Sequence, residues 1–229
     1  MMLIERLYTD DKDTVWHGVI DRLKGRGTRN VQPLYVSDLK GQKYLSVVFH
    51  TDVIDDCAMF LVDNVAMCKN VKDTQTIMLL KPVFLPMPGD RPKDLERFSL
   101  YLKVQPKYYP SVYNEILQHE FAVNCFPNYV AYAFGDYDIL ATFLARDEAR
   151  MKEYVKTHLK PLSGIDNITI NPIKRTELLS KKTTWREIQR SLLYIPPWMS
   201  RKMDDHYLYD IDPPTEEYLG LTGAMTDEL

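Results

Sequence analysis

The chain has 229 residues, is 45% hydrophobic and carries a formal net charge of −3, which suits one large or two small globular domains with a buried core. That balance exerts no global pull on nucleic acid or anionic lipid, and no apolar run reaches the ~18 residues of a membrane span. The opening MMLIERLYTDDKD lacks the basic, apolar and cleavage regions of a secretory signal, and Cys57, Cys68 and Cys125 show no CxxC spacing, so a cytoplasmic protein with reduced thiols is expected.

In chain order, LIERLY reads as a strand. DTVWHGVIDRLKG reads as a helix, with Asp13 or Thr14 as N-cap, Val15, Val19 and Leu23 on one face, and Gly25 as the stop. NVQPLYVS and KYLSVVFH flank a turn at Gly41. DDCAMFLVDNVAMCKN places Cys57, Leu61, Val65 and Cys68 on one helical face, and TQTIMLLKPVFL is a strand. PMPGDRPKDLE, rich in proline and charge, reads as a linker. FSLYLKV alternates as a strand, SVYNEILQHE is a helix after Pro110, and YVAYAF with DILATFLA forms a hairpin around Gly135. DEARMKEYVKTHL puts Met151, Val155 and Leu159 on one face, and NITINPIK closes the series as a strand.

The two series repeat. Gly41 aligns with Gly135, an offset of 94 residues that also pairs Phe49 with Phe143 and Leu61 with Val155. Each copy has the order β-α-β-β-α-β, which defines an α+β fold of two tandem ferredoxin-like plaits of the dimeric α+β barrel type. The expected organisation is a first plait over 1–85, a linker over 86–96, a second plait over 97–178, and a short helix with an extended acidic arm over 179–229. SVVF, TIMLL and DILATFLA are apolar at both parities, as strands buried on both faces are, so the sheet faces left bare by the helices should pack on another plait, within the chain or in a second copy.

The stretch AFGDYDILATFLARDEARMKEYVKTHLKPLSGIDNITINPIKRTEL resembles the effector-binding domain of the Lrp/AsnC (feast/famine) regulators. The likeness rests on Gly135, Asp136, Tyr137 and Asp138, then on Leu162, Gly164, Ile165 and Thr169. It implies a small-molecule sensor acting in transcription regulation, with an effector, often an amino acid, held at Gly135, Asp136 and Asp138 and at Asn171 and Ile173, in a dimer or higher homo-oligomer. The family's usual helix-turn-helix has no counterpart here, and the first copy reads Gly41, Gln42, Lys43, Tyr44 in place of the acidic turn. On the residues alone, Asp136 and Asp138 suit an ammonium group, while Gly-Asp is also ordinary turn chemistry.

Other constellations offer less. Cys57 and Cys68 fall on an apolar stripe and behave as small hydrophobes. His17, His50, His119, His158 and His206 have no ligand spacing, and DDHYLYD reads as a solvated acidic arm rather than a metal site. No cofactor, metal or catalytic residue is singled out, and no phosphate-binding glycine motif occurs. Lys174, Arg175, Lys181, Lys182, Arg186 and Arg190, with Trp185 among them, could follow a phosphate backbone, though a solvated helix face explains them as well. Two alternatives to the sensor therefore stand: an enzyme or haem-binding protein on a dimeric α+β barrel, and direct DNA binding through the basic tail helix.

Overall fold

A computed structural model describes residues 1–86, 92, 94–118 and 125–197. The expected C-terminal arm and most of the proline-rich linker lie outside the described residues, as do His119 and His206. The first half runs β1 (Met2–Tyr8), α1 (Lys12–Leu23), β2 (Val31–Leu39), β3 (Tyr44–Thr51), α2 (Ile54–Phe60) and β4 (Asp73–Phe84). The second runs β5 (Glu96–Val104), α3 (Tyr109–Gln118), β6 (Cys125–Phe134), β7 (Ile139–Ala145), α4 (Glu148–Tyr154) and β8 (Ile165–Leu178). A last helix, α5 (Lys182–Ser191), follows. Both α2 and α4 end in a single π-turn, over Leu61–Val65 and Val155–Leu159, at the 94-residue offset found in the sequence.

The sheet overturns the expectation of two tandem plaits. The eight strands form one closed antiparallel barrel in the order β1-β3-β2-β8-β5-β7-β6-β4. The two halves do not stack face to face. They join edge to edge, β2 on β8 (Tyr35 opposite Leu178) and β4 on β6 (Met78 opposite Phe134). The physical reason is the edge strand: an open four-stranded sheet leaves two rows of unpaired N–H and C=O groups, and closure pairs them all. The strands that are apolar at both parities are explained by a lumen on one face and helices on the other.

Three apolar clusters show this. One combines β1 and β3 with α1 and α2 around Leu7, Val19, Phe49 and Cys57. A second combines β5 and β7 with α3 and α4 around Phe98, Ile116, Phe143 and Met151. The third draws Ile4, Val48, Ile77, Tyr101, Ala131 and Leu140 from both halves, and so lines the lumen. Phe98 and Phe143 are fully buried cross-strand partners, each stabilising the fold by roughly 2–3 kcal/mol through area removed from water. At one end of the lumen lie the hairpin turns at Gly41 and Gly135. At the other, α5 inserts Trp185, edge-on to Tyr35 and Phe84 with ring centroids 5.5 Å apart in both pairs.

Local detail departs from the sequence reading at the caps. The N-cap of α1 is Asp11, whose Oδ1 accepts from the Thr14 N–H at 3.1 Å, rather than Asp13 or Thr14. Helix α5 starts after Lys181 without a side-chain cap. Gly164 sits at φ +85 with the Tyr108 ring packed where a Cβ would stand, 2.0 Å away, which ties the turn before β8 to the start of α3.

Candidate functional site

A cleft of about 460 Å³ opens on the outer wall of the barrel near the Gly135 hairpin. Its floor is β4 and β6, through Leu80, Lys81, Tyr132 and Phe134, and its far side is the turn into α3, through Pro106, Tyr109 and Pro110. Gly135, Tyr137 and Asp138 close one end. Phe134 and Leu80 are exposed there, so the walls are apolar and accessible.

Three local features give the cleft its chemistry. The first is a register shift in the β4–β6 pairing between Leu80 and Val83. Lys81 lies in that bulge at φ +47, a left-handed conformation rare for a lysine, and its carbonyl is held by the Tyr113 hydroxyl at 2.6 Å. Bulges of this kind re-aim side chains beside sites, and strained backbone persists only where its surroundings enforce it. The second is the pair Tyr109–Asp138. The Tyr109 hydroxyl donates to Asp138 Oδ1 at 2.6 Å, and the Val104 N–H donates to Oδ2 at 2.8 Å. Lys103 Nζ lies 3.3 Å from Oδ1. Partial burial favours the neutral acid, but these donors outweigh it and hold the Asp138 carboxyl below its ordinary value, while the same bond pushes the Tyr109 phenol up to about 12. The third is aromatic: Tyr132 stacks on Tyr113 at 4.4 Å between centroids.

Behind Tyr137 the lumen holds a guanidinium. Arg6, on β1, lies 4.8 Å from the Tyr44 ring, 4.9 Å from Tyr101 and 5.2 Å from Tyr137. One of its nitrogens donates to Gln75 Oε1 at 3.0 Å and stands 3.6 Å from Asp136, and Gln75 in turn donates to Asp136 at 2.7 Å.

The residues expected to hold an effector are thus divided. Gly135 and Asp138 border the cleft, Asp136 is engaged by Arg6 and Gln75, and Asn171 is buried, accepting from Gln42 at 2.8 Å and donating to the Ser99 carbonyl at 3.2 Å. Ile173 lies on β8 opposite Leu39. The basic tail is also divided. Lys174 and Arg175 belong to β8, where Arg175 pairs with Asp13 at 2.6 Å, approaches Asp38 at 3.4 Å and lies over the Trp16 ring at 4.3 Å. Lys174 is 4.0 Å from Asp38. Lys181 precedes α5, and Lys182, Arg186 and Arg190 lie on it. Sequence reasoning missed Lys81, Tyr109, Tyr132 and Arg6. A Lys-Pro pair inside a strand-like run, and a lone arginine in LIERLY, were the available signals.

No family model matches the chain, and no curated protein matches it. Solved structures do. The siroheme decarboxylase NirDL superposes with a TM-score of 0.51 at 8% identity over 84% of this chain and 78% of its own. The same enzyme bound to an iron-uroporphyrin III analogue gives 0.51 at 9% identity, over 79% and 72%. An anthrone oxidase-like protein gives 0.50 at 6% identity, over 79% and 93%. The likeness at these identities is one of fold, the eight-stranded α+β barrel. It corrects the resemblance to the Lrp/AsnC effector-binding domain, and with it the reading of an amino-acid-sensing transcription regulator. The acidic hairpin that carried the resemblance serves the barrel itself: Asp138 ties β7 to β5 and to α3, and Asp136 pairs with Arg6. No helix among the described residues is long and apolar enough to cross a membrane.

Proposed function

We propose that the protein is an enzyme that binds a small planar aromatic compound, bearing an ionisable oxygen, in the cleft between α3 and the β4–β6 wall. The observation that carries this reading is the company of the bulge lysine, Lys81, with a phenol–carboxylate pair inside aromatic walls. Clefts of this size suit one small organic molecule fixed by a few polar groups. The enzyme names of the barrel proteins with the same fold support a catalyst over a regulator.

The chemistry follows from the protonation states. Tyr109 stays a phenol at neutral pH and Asp138 stays a carboxylate, so neither is a strong base. Because Tyr109 donates its proton to Asp138, its oxygen lone pair is left to accept from a substrate hydroxyl. As the substrate hydroxyl gives up its proton to solvent, Lys81 supplies positive charge to the oxyanion left behind. The site therefore favours substrates that ionise readily, and it lowers the cost of that ionisation rather than forcing it. An iron tetrapyrrole, as in the NirDL co-complex, is not matched by these residues. Among the described residues the cleft lining has no His or Cys, and no group of three His, Cys, Asp or Glu is suited to a metal.

The test is a binding screen of phenols, naphthols and hydroxyquinones followed by intrinsic fluorescence and ligand-observed NMR, with Lys81→Met and Tyr109→Phe as variants. Compounds that bind should red-shift on binding as they ionise, and Lys81→Met should abolish that shift. Binding without ionisation, or binding equal in both variants, would remove the cleft from consideration.

A further inference from the structure

At the α5 end of the lumen, away from the cleft, a second guanidinium is buried. Arg97 stands on β5 opposite Leu144, on the same strand face as Ser99 and the lumen residue Tyr101. It is 7% exposed, and its Nε and one terminal nitrogen have no hydrogen-bond partner. Burial drives its pKa down, and among the described residues Tyr35 opposes that. The buried acids among the described residues are committed elsewhere. Asp38 serves Lys12 at 2.5 Å and Arg175, Asp138 serves Lys103 and Tyr109, and Glu5 accepts from Thr76 at 2.5 Å.

A buried cation without a counter-charge is strongly unfavourable, and arginine does not escape by losing its proton. Buried polar atoms without partners call for a water, an ion or a ligand. A second buried atom without a partner lies on α5. Gln189 is 6% exposed, and its Oε1 makes no hydrogen bond. It lies one helical turn beyond Trp185, on the face of α5 that seals the lumen. The unpaired donors of Arg97 suit an anionic group and the rings of Tyr35 and Trp185 an adjoining organic body, while Gln189 Oε1, an acceptor, would take a donor of that body or a water rather than the anion.

We propose that the α5 end of the barrel lumen binds a small organic carboxylate, with Arg97 as its charged anchor. The carboxylate forks onto the guanidinium and α5 closes over it. This site is independent of the cleft, so either can fail without the other.

Equilibrium dialysis of the full chain with radiolabelled acetate and benzoate, at constant ionic strength in chloride, tests it. Wild type should bind close to one equivalent. A carboxylate at a hundred times its Kd should raise the thermal midpoint by about 5–10 °C. Arg97→Met should bind none and show no shift, while Arg26→Met, a surface control, should behave as wild type. No binding to wild type, or equal midpoint shifts in wild type and Arg97→Met, overturns the proposal. If Arg97→Met does not fold, Arg97→Lys takes its place. Without the planar fork it should hold acetate at least ~5-fold more weakly, and equal affinity overturns the assignment.

Discussion

Replacing Asp138 by asparagine removes one negative charge and half of the acceptor capacity at the junction of β5, β7 and α3. The carboxylate accepts from the Val104 N–H at 2.8 Å and the Tyr109 O–H at 2.6 Å, with Lys103 at 3.3 Å. An asparagine amide satisfies one of the two short donors and presents its own NH₂ to the other. Hydrogen bonds to charged groups contribute about 1.5–3 kcal/mol and neutral ones about 1 kcal/mol, so the loss should be about 2 kcal/mol at pH 7, or about 4–8 °C in the thermal midpoint of a chain this size. The pH dependence fixes the cause. The folded-state pKa of Asp138 is depressed, so its contribution is full above the unfolded-state value near 3.9 and disappears as pH falls through the lower folded value. Urea denaturation of wild type and Asp138→Asn at pH 7, 5 and about 3.5 should show the stability gap constant between the first two and narrowing at the third. Equal midpoints at pH 7, or a gap unchanged by acid, would refute the assignment of Asp138 as the charged tie between these elements.

Gly164→Ala should lower stability by about 3 kcal/mol, since it combines left-handed strain with overlap against the Tyr108 ring; chemical denaturation measures it, and a neutral result would mean that the turn relaxes. Phe98→Ala should cost about 3–5 kcal/mol from loss of a fully buried ring, read in the same assay. Burial pushes the thiols of Cys57 to about 11 and Cys125 to about 12, and raises that of Cys68. All three should resist a chromogenic disulfide reagent in the native state at pH 7 and react only on unfolding. A double-mutant cycle of Asp138→Asn with Tyr109→Phe should give a coupling of about 1–2 kcal/mol, and additivity would separate the two groups.

Much of the element order was legible in the sequence, because hydrophobic periodicity reports which face of each segment is buried. The paired runs at Gly41 and Gly135 carried the repeat, and the π-turns keep it to the residue. What periodicity does not report is which strand edges meet. Tyr35 facing Leu178, and Met78 facing Phe134, are contacts between halves, and nothing local in NVQPLYVS or TIMLL distinguishes edge-to-edge joining from stacking. The candidate site was legible only at Gly135 and Asp138. Lys81 draws its interest from a backbone angle, Tyr109 from a partner 29 residues away, and Arg97 from the lack of one. These are three-dimensional relations. The acidic hairpin was ambiguous in sequence because Asp-rich turns look alike whether they face a ligand, as the resemblance implied, or brace the fold; Asp138 borders the cleft and also ties β7 to β5 and α3.

The two seams of the barrel have a consequence for dissecting the protein. Severing the chain between β4 and β5 would give two fragments, each with a raw strand on either flank. Mixed together, the fragments have complementary borders and should reassemble without a covalent link. Kept apart, each should find its own twin, so that either fragment alone becomes a two-chain ring rather than a stable solitary unit.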